Sequence, residues 1–125
     1  METSPQPNLS VIVVNYNTSD FLVRCLNSIA PQSDQNIEVI VVDNASQDGS
    51  QDVIRKTFPW VKLIANDRNL GFAQANNQAL RVCKGEYVHF LNPDTEVRHG
   101  AFRAMVGFME SSPEVGLAGT RILCF

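Results

Sequence analysis

An α/β fold, with an open, mostly parallel sheet and helices on both faces, is what this sequence predicts. Three observations point there. Short apolar runs rich in β-branched residues recur along the chain, they are apolar throughout rather than alternating, and segments of helical spacing separate them. Strands covered on both faces read as continuous apolar runs, and strand alternating with helix builds right-handed βαβ units.

The elements follow in order. Residues 1–8, a head of Ser, Pro and Gln, are expected to be disordered, and a single domain is expected over 9–125. "LSVIVV" (9–14), "IEVIVV" (37–42), "VKLIA" (61–65) and "EYVHFL" (86–91) are the expected strands, with a weaker fifth in "VGLAGTRIL" (115–123). Between them Phe21, Leu22, Cys25, Leu26 and Ile29 make one helical stripe, and Val53, Ile54 and Phe58 a shorter one. Phe72, Ala75, Ala79, Leu80 and Cys83 make the third, and Phe102, Met105, Val106 and Met109 the fourth. All four stripes are read as core. Thr18 or Ser19 is the expected cap of the first helix, and Ser46 or Asp48 that of the second. The apolar ending "RILCF" raises two expectations, continuation into a longer parent or a homodimer sealed through that strand's edge.

The totals narrow the function classes. A chain of 125 residues suits one domain, and its net charge of −3 argues against a nucleic-acid or membrane-surface binder. No apolar stretch approaches the roughly 20 residues that cross a bilayer, and the N-terminus has no signal-peptide pattern. Cys25, Cys83 and Cys124 lie too far apart for a zinc site or a disulfide framework, so a reducing cytoplasm is the expected compartment. Without a secretory signal, the triplets "NLS", "NTS" and "NAS" are chance matches to the glycosylation pattern.

Polar residues collect where strands end. Asn15-Tyr16-Asn17 follow the first strand, Asp43-Asn44 the second, "NDRNLGF" (66–72) the third and Asn92-Pro93-Asp94 the fourth. In a parallel sheet these exits share one rim, where ligands of open α/β sheets bind. There is no G-x-G-x-x-G after the first strand and no G-x-x-x-x-G-K-[ST], so a dinucleotide enzyme or P-loop hydrolase lacks its phosphate cradle. Asp43 does stand where the ribose-gripping acid of dehydrogenases stands, which keeps that alternative in view. His89 is expected to be packed in the fourth strand, and His99 to be solvated.

Taken together, "VIVVNYN", "VIVVDNASQDGS", "NLGFAQANNQAL" and "FLNPDTEV" resemble the nucleotide-sugar half of family 2 glycosyltransferases, most of all the bacterial rhamnosyltransferase-like members. The resemblance runs from about Leu9 to the end and implies the Rossmann-like fold called GT-A, here without its C-terminal acceptor-binding part. It implies that Val14, Asn15 and Tyr16 lie against the nucleoside, and that Asp43 accepts a hydrogen bond from the base. A carboxylate suits the N–H of uracil, thymine or guanine and repels the acceptor N3 of cytosine, so a UDP-, dTDP- or GDP-sugar is the expected donor. Gly71 permits close backbone approach at a helix N-terminus that faces the diphosphate. Asn69 and Asn77 match polar residues of the donor pocket. Arg68 has two readings, a base or phosphate partner and a solvated loop arginine.

Asp94 matches the last acid of the family's Asp-x-Asp motif, which binds a divalent cation, Mg²⁺ or Mn²⁺, on the donor diphosphate. One or two protein carboxylates suffice for such a cation. Asn92 replaces the motif's first aspartate, so it could bond a ribose hydroxyl but adds no charge. The family's general base, which takes the proton of a glycan or lipid-linked acceptor hydroxyl, is expected beyond Phe125. The isolated chain is therefore expected to bind a donor and transfer sugar poorly, with any attachment to the inner face of the membrane supplied by a longer parent. The competing expectation is a non-catalytic α/β interaction or regulatory module that keeps the fold.

Overall fold

The structure is a computed structural model that describes residues 5–124. Four strands, β1 (Leu9–Asn15), β2 (Ile37–Asp43), β3 (Lys62–Ala65) and β4 (Tyr87–Leu91), form one sheet in the order β3-β2-β1-β4, with every pairing parallel. Four helices connect or follow them: α1 (Ser19–Ile29), α2 (Ser50–Thr57), α3 (Gly71–Leu80) and α4 (Ala101–Ser111). The strands expected from the apolar runs form within a residue or so of their expected bounds.

The pleat explains the two cores. Leu9, Val11 and Val13 of β1 and Val39 and Val41 of β2 face α1, α2 and α4. Ile12, Ile40 and Val42 point the other way, onto Ala75 and Ala79 of α3. From β1 the chain steps outward through β2 to β3, then returns to place β4 on the far side of β1. A right-handed crossover that reverses direction must pass on the opposite face, which is why α3 alone occupies that side. The reversal places the topological switch point of the sheet between β1 and β4, at whose carboxyl ends ligands of such sheets bind.

The expected fifth strand does not form: residues 117–124 run without regular structure, with Leu117 88% exposed. Gly116, Ala118 and Gly119 bring high backbone entropy and little side chain to pack, so pairing on the β4 edge has too little burial to hold it. The strand through which a homodimer was expected is therefore not formed among the described residues. Three stripe residues also leave the core: Phe21, Phe72 and Leu80 are exposed. Of the head expected to be disordered, residues 1–4 lie outside the described residues. Residues 5–8 are coil tied to the sheet's amino end, with Asn8 N–H donating to Asn36 O and the Gln6 amide to Lys84 O. Among the described residues no helix is long and apolar enough to cross a membrane.

The same end carries a buried carboxylate. Glu38 accepts from Ser10 Oγ, Lys84 N and, at 2.7 Å, Lys62 Nζ, stitching three strands and the α3–β4 connection together. A groove of about 780 Å³ opens there, lined by Gln6, Asn36, Glu38, Lys62 and Lys84 among others. It is the wrong end of the sheet for ligand chemistry, because Glu38 is already committed inside the chain.

Candidate functional site

Asn15 and Asp43 are the last residues of β1 and β2 and face each other in register. Asp43 is 0% exposed, yet its carboxylate is fully used. Oδ1 accepts from Asn15 Nδ2 (2.8 Å) and Ser46 Oγ (2.6 Å), and Oδ2 from Ser46 N (2.9 Å) and Gln51 Nε2 (2.8 Å). Four donors fill the four lone-pair positions of a carboxylate. Burial pushes the Asp43 carboxyl up, but the donors from Ser46, Gln51 and Asn15 outweigh it and hold the group below the usual aspartate range.

That carboxylate organises two loops at once. Asn15 Oδ1 accepts from Thr18 Oγ1 (2.5 Å), and Ser46 Oγ also accepts from Asn17 N (2.9 Å). Asn17 Oδ1 in turn accepts from Gln47 N, and Asp48 Oδ2 from Ser19 N, both at 2.8 Å. The first turn of α1 is therefore satisfied from the β2–α2 loop, 29 residues away, and not by Thr18 or Ser19. The β1–α1 loop turns through Asn17 and the β2–α2 loop through Ala45, both left-handed, and α2 begins after Gly49, later than Ser46 or Asp48 would place it. Asp48 instead accepts from Ser50 N (3.1 Å).

Asn44 makes the next link. Its Oδ1 accepts from Asn66 Nδ2 (3.0 Å), its Nδ2 donates to Gly71 O (3.2 Å), and Asn66 exchanges two bonds of 2.8 Å with Gln78. Gly71 has φ 81°, a conformation that calls for glycine, and the space beside it is open. Its N–H is not free for an anion, because Asn69 Oδ1 accepts it at 2.9 Å.

The expected site residues thus divide. Asn15, Tyr16, Asp43, Asn69, Gly71, Asn92 and Asp94 all fall on the carboxyl rim of the sheet, by strand end or connecting loop. β4 and β2 flank β1, so Asp94 and Asp43 leave strands separated by two spacings, about 10 Å. Tyr16 is 50% exposed on this rim, whereas Val14 packs inward on the α3 side. Asn77 stands six residues along α3, about 9 Å down its axis from Gly71 and away from the rim. Asn92 and Asp94 are exposed, and Asp94 accepts no hydrogen bond among the described residues. Arg68 and His99 are exposed as well, while His89 packs edge-on against Phe102 with ring centroids 5.9 Å apart.

Gln51 was not singled out from the sequence, and Ser46 was expected only as a helix cap and Asn44 only as a polar strand exit, although Ser46 stands three residues after Asp43, within reach of a local side-chain-to-backbone bond. Phe21 and Phe72, in the first turns of α1 and α3, join Tyr16 as exposed aromatics at this end of the sheet.

The donor set accommodates a divalent cation in one way. Among the described residues no three His, Cys, Asp or Glu side chains cluster, so the protein offers no closed cage. Asp94, an exposed carboxylate on the carboxyl rim with no hydrogen-bond partner among the described residues, fits a hard cation that takes most of its ligands from groups other than protein carboxylates.

Comparison with known proteins agrees with this fold. The sequence profile of Glycosyl transferase family 2 matches residues 10–125. The chain is 34% identical over 100 residues to glycosyltransferase GlyG of Streptococcus pneumoniae, covering 78% of this chain and 33% of that protein. Among solved structures, S. aureus TarS 1-349 in complex with UDP-GlcNAc superposes with a TM-score of 0.72 at 27% identity, over 85% of this chain and 32% of that one. The mannosyltransferase PcManGT from Pyrobaculum calidifontis, in complex with GDP-Man and Mn²⁺, gives 0.70 at 32% identity, over 81% and 32%. The chain therefore spans about a third of each.

Proposed function

Because the chain belongs to glycosyl transferase family 2, we propose that it is the donor-binding part of an inverting glycosyltransferase, holding a nucleoside-diphosphate sugar and a divalent cation at the carboxyl rim. The observation that carries the reading is the placing of Asn15 and Asp43 on one rung, with Asp94 one strand beyond, at the switch point of the sheet. Similar proteins hold UDP-GlcNAc in one case and GDP-Man with Mn²⁺ in another, which supports this donor class.

Each residue has a task in this reading. Tyr16 offers an exposed ring to the nucleoside. A base N–H reaches Asp43 by displacing the Gln51 amide, which sits at the end of the longest side chain among its donors. Asn92 bonds a ribose hydroxyl, and the open space beside Gly71 admits the diphosphate. Asp94 holds the cation, which when bound offsets charge on the departing diphosphate. Deprotonation of the acceptor hydroxyl, a glycan or lipid-linked one, falls to a carboxylate outside these residues, so this chain alone binds donor and transfers little.

Calorimetric titration with UDP, dTDP, GDP and CDP, with and without Mn²⁺, tests the reading. Metal-dependent affinity is expected for at least one of the first three, at least about tenfold above CDP, the discrimination a charged hydrogen bond provides. A rhamnosyl donor belongs in the same series. Affinity that ignores the metal would point to a non-catalytic module, and comparable binding of NAD to a dehydrogenase.

A further inference from the structure

We propose that Ser28 and Gln32 are positioning residues for the Asp94 carboxylate, acting through the loop that carries it; the proposal rests on the donor-binding reading above. Residues 92–100, between β4 and α4, contain no helix or strand. A nine-residue loop of that kind is free to move unless something bolts it down. Here α1 and the 3-10 turn that continues it (Ala30–Gln35) do so at successive points.

Cys25 Sγ lies 3.9 Å from Asn92 O, and the Arg24 guanidinium pairs with Glu96 at 2.5 Å. One turn further along, Ser28 Oγ accepts from Val97 N at 2.8 Å while donating to Cys25 O at 2.6 Å. Gln32 Nε2 donates to Arg98 O at 3.4 Å and to Ser28 O at 3.2 Å. Positions 24, 25, 28 and 32 make one stripe of the helix, and the loop descends along it from 92 to 98. Asp94 hangs between the bolts, exposed and with no hydrogen bond of its own among the described residues.

The arrangement separates two duties. Arg24 and Glu96 are largely solvated, and such a pair fixes little. Gln32 is buried and Ser28 half-buried, so their bonds are less open to exchange with water than the Arg24–Glu96 pair. Gln32 is also buried with its Oε1 unpaired among the described residues. A methionine would fill the same space without that orphan acceptor, so what glutamine adds is its donor end. A metal-ligating carboxylate depends on the groups that orient it, and removing such support commonly lowers metal affinity about tenfold or more.

The experiment measures UDP affinity with and without Mn²⁺ in wild type, Ser28→Ala, Ser28→Thr and Gln32→Met, with GDP as a second arm. In Ser28→Ala the metal-free affinity should stay within about twofold of wild type while the Mn²⁺-dependent gain falls about tenfold. Ser28→Thr, which keeps the hydroxyl, should restore the gain. Gln32→Met should lower it in the same direction, and it carries the test if Ser28→Ala does not fold. Variants that keep the full Mn²⁺-dependent gain, or lose metal-free and metal-dependent affinity in equal proportion, overturn the proposal. A wild-type chain with no Mn²⁺-dependent affinity for either nucleotide overturns the donor-binding reading itself, and does so before any variant is made.

Discussion

The Asn15 amide nitrogen stands 2.8 Å from Asp43 Oδ1, at the last rung where β1 and β2 pair. The contact closes the parallel ladder with a side-chain bond just where the backbones diverge into separate loops. Because the same carboxylate also takes Ser46 and Gln51, it fixes the approach of the β1–α1 loop, the β2–α2 loop and the first turns of α1 and α2.

Replacing Asp43 with Asn should therefore cost stability as well as nucleotide affinity. The amide brings an N–H₂ group against donors that need acceptors, in a position fully shielded from water. Hydrogen bonds to a buried charge are worth about 1.5–3 kcal/mol each, so a loss of about 3 kcal/mol is expected after relaxation. Urea denaturation of the variant at neutral pH measures it. A loss below about 0.5 kcal/mol would mean that the four bonds do not hold the rim.

Acid should act on the same groups. Asp43, Glu38 and Asp48 are all held below their ordinary range: burial opposes this in each, and donated bonds prevail, from Ser46 first for Asp43, Lys62 for Glu38 and Ser50 for Asp48. A carboxylate depressed in the folded state stabilises above its unfolded value, near 4, and loses that contribution as pH falls through the folded one. His89 is lowered by burial, so the unfolded chain takes up its proton first, near pH 6.5, and stability declines from there downward. The urea midpoint should fall in two steps, shallow below about pH 6.5 and steep below about pH 4. His89→Gln should abolish only the first.

How far the sequence alone reaches can be argued from single residues. Ile12, Val13, Val41 and Val42 announce buried strands because nothing polar interrupts them, and the order of helices and strands follows. Phe72 fits its stripe as well as Ala75 does, but spacing reports which side of a helix is apolar, not whether the sheet extends beneath it. At 61% exposure Phe72 lies past that edge. The stretch 115–123 misled in the reverse sense, since its apolar content hid the glycines that weaken a strand. Asp43 was legible as a polar strand exit, whereas the count of its donors was not: Gln51 reaches it only once α2 has docked. The bond from Val97 to Ser28 spans 69 residues and leaves no local trace.

Two glycines give a paired test of the packing. A Cβ on Gly85 would stand 2.8 Å from the Leu9 carbonyl carbon and closer still to Ser10, which accepts the Gly85 N–H through its Oγ. Backbone cannot yield there, so Gly85→Ala should destabilise by about 1–3 kcal/mol or more. Gly107 lies inside α4, and a Cβ there meets nothing within 4 Å. Gly107→Ala should stabilise by about 0.5–1 kcal/mol through helix propensity and unfolded-state entropy. Thermal melts of the two variants side by side should shift in opposite directions.

Asp94 poses the opposite case from Asp43, a carboxylate that the fold does not use. It is exposed, follows a proline that ends strand pairing, and accepts no hydrogen bond among the described residues. Asp94→Asn should therefore leave the urea midpoint almost unchanged, within about 0.5 kcal/mol. Its effect belongs to binding: the amide keeps an oxygen but removes the charge that a hard cation requires, so the Mn²⁺-dependent part of nucleotide affinity should disappear while the metal-free part persists. Of the two variants only Asp43→Asn should cost stability, so a binding loss in Asp94→Asn reports function alone. Should Asp94→Asn unfold the chain, the fold does use this carboxylate; should it bind nucleotide with undiminished response to Mn²⁺, the cation is held elsewhere and the rim must be reassigned.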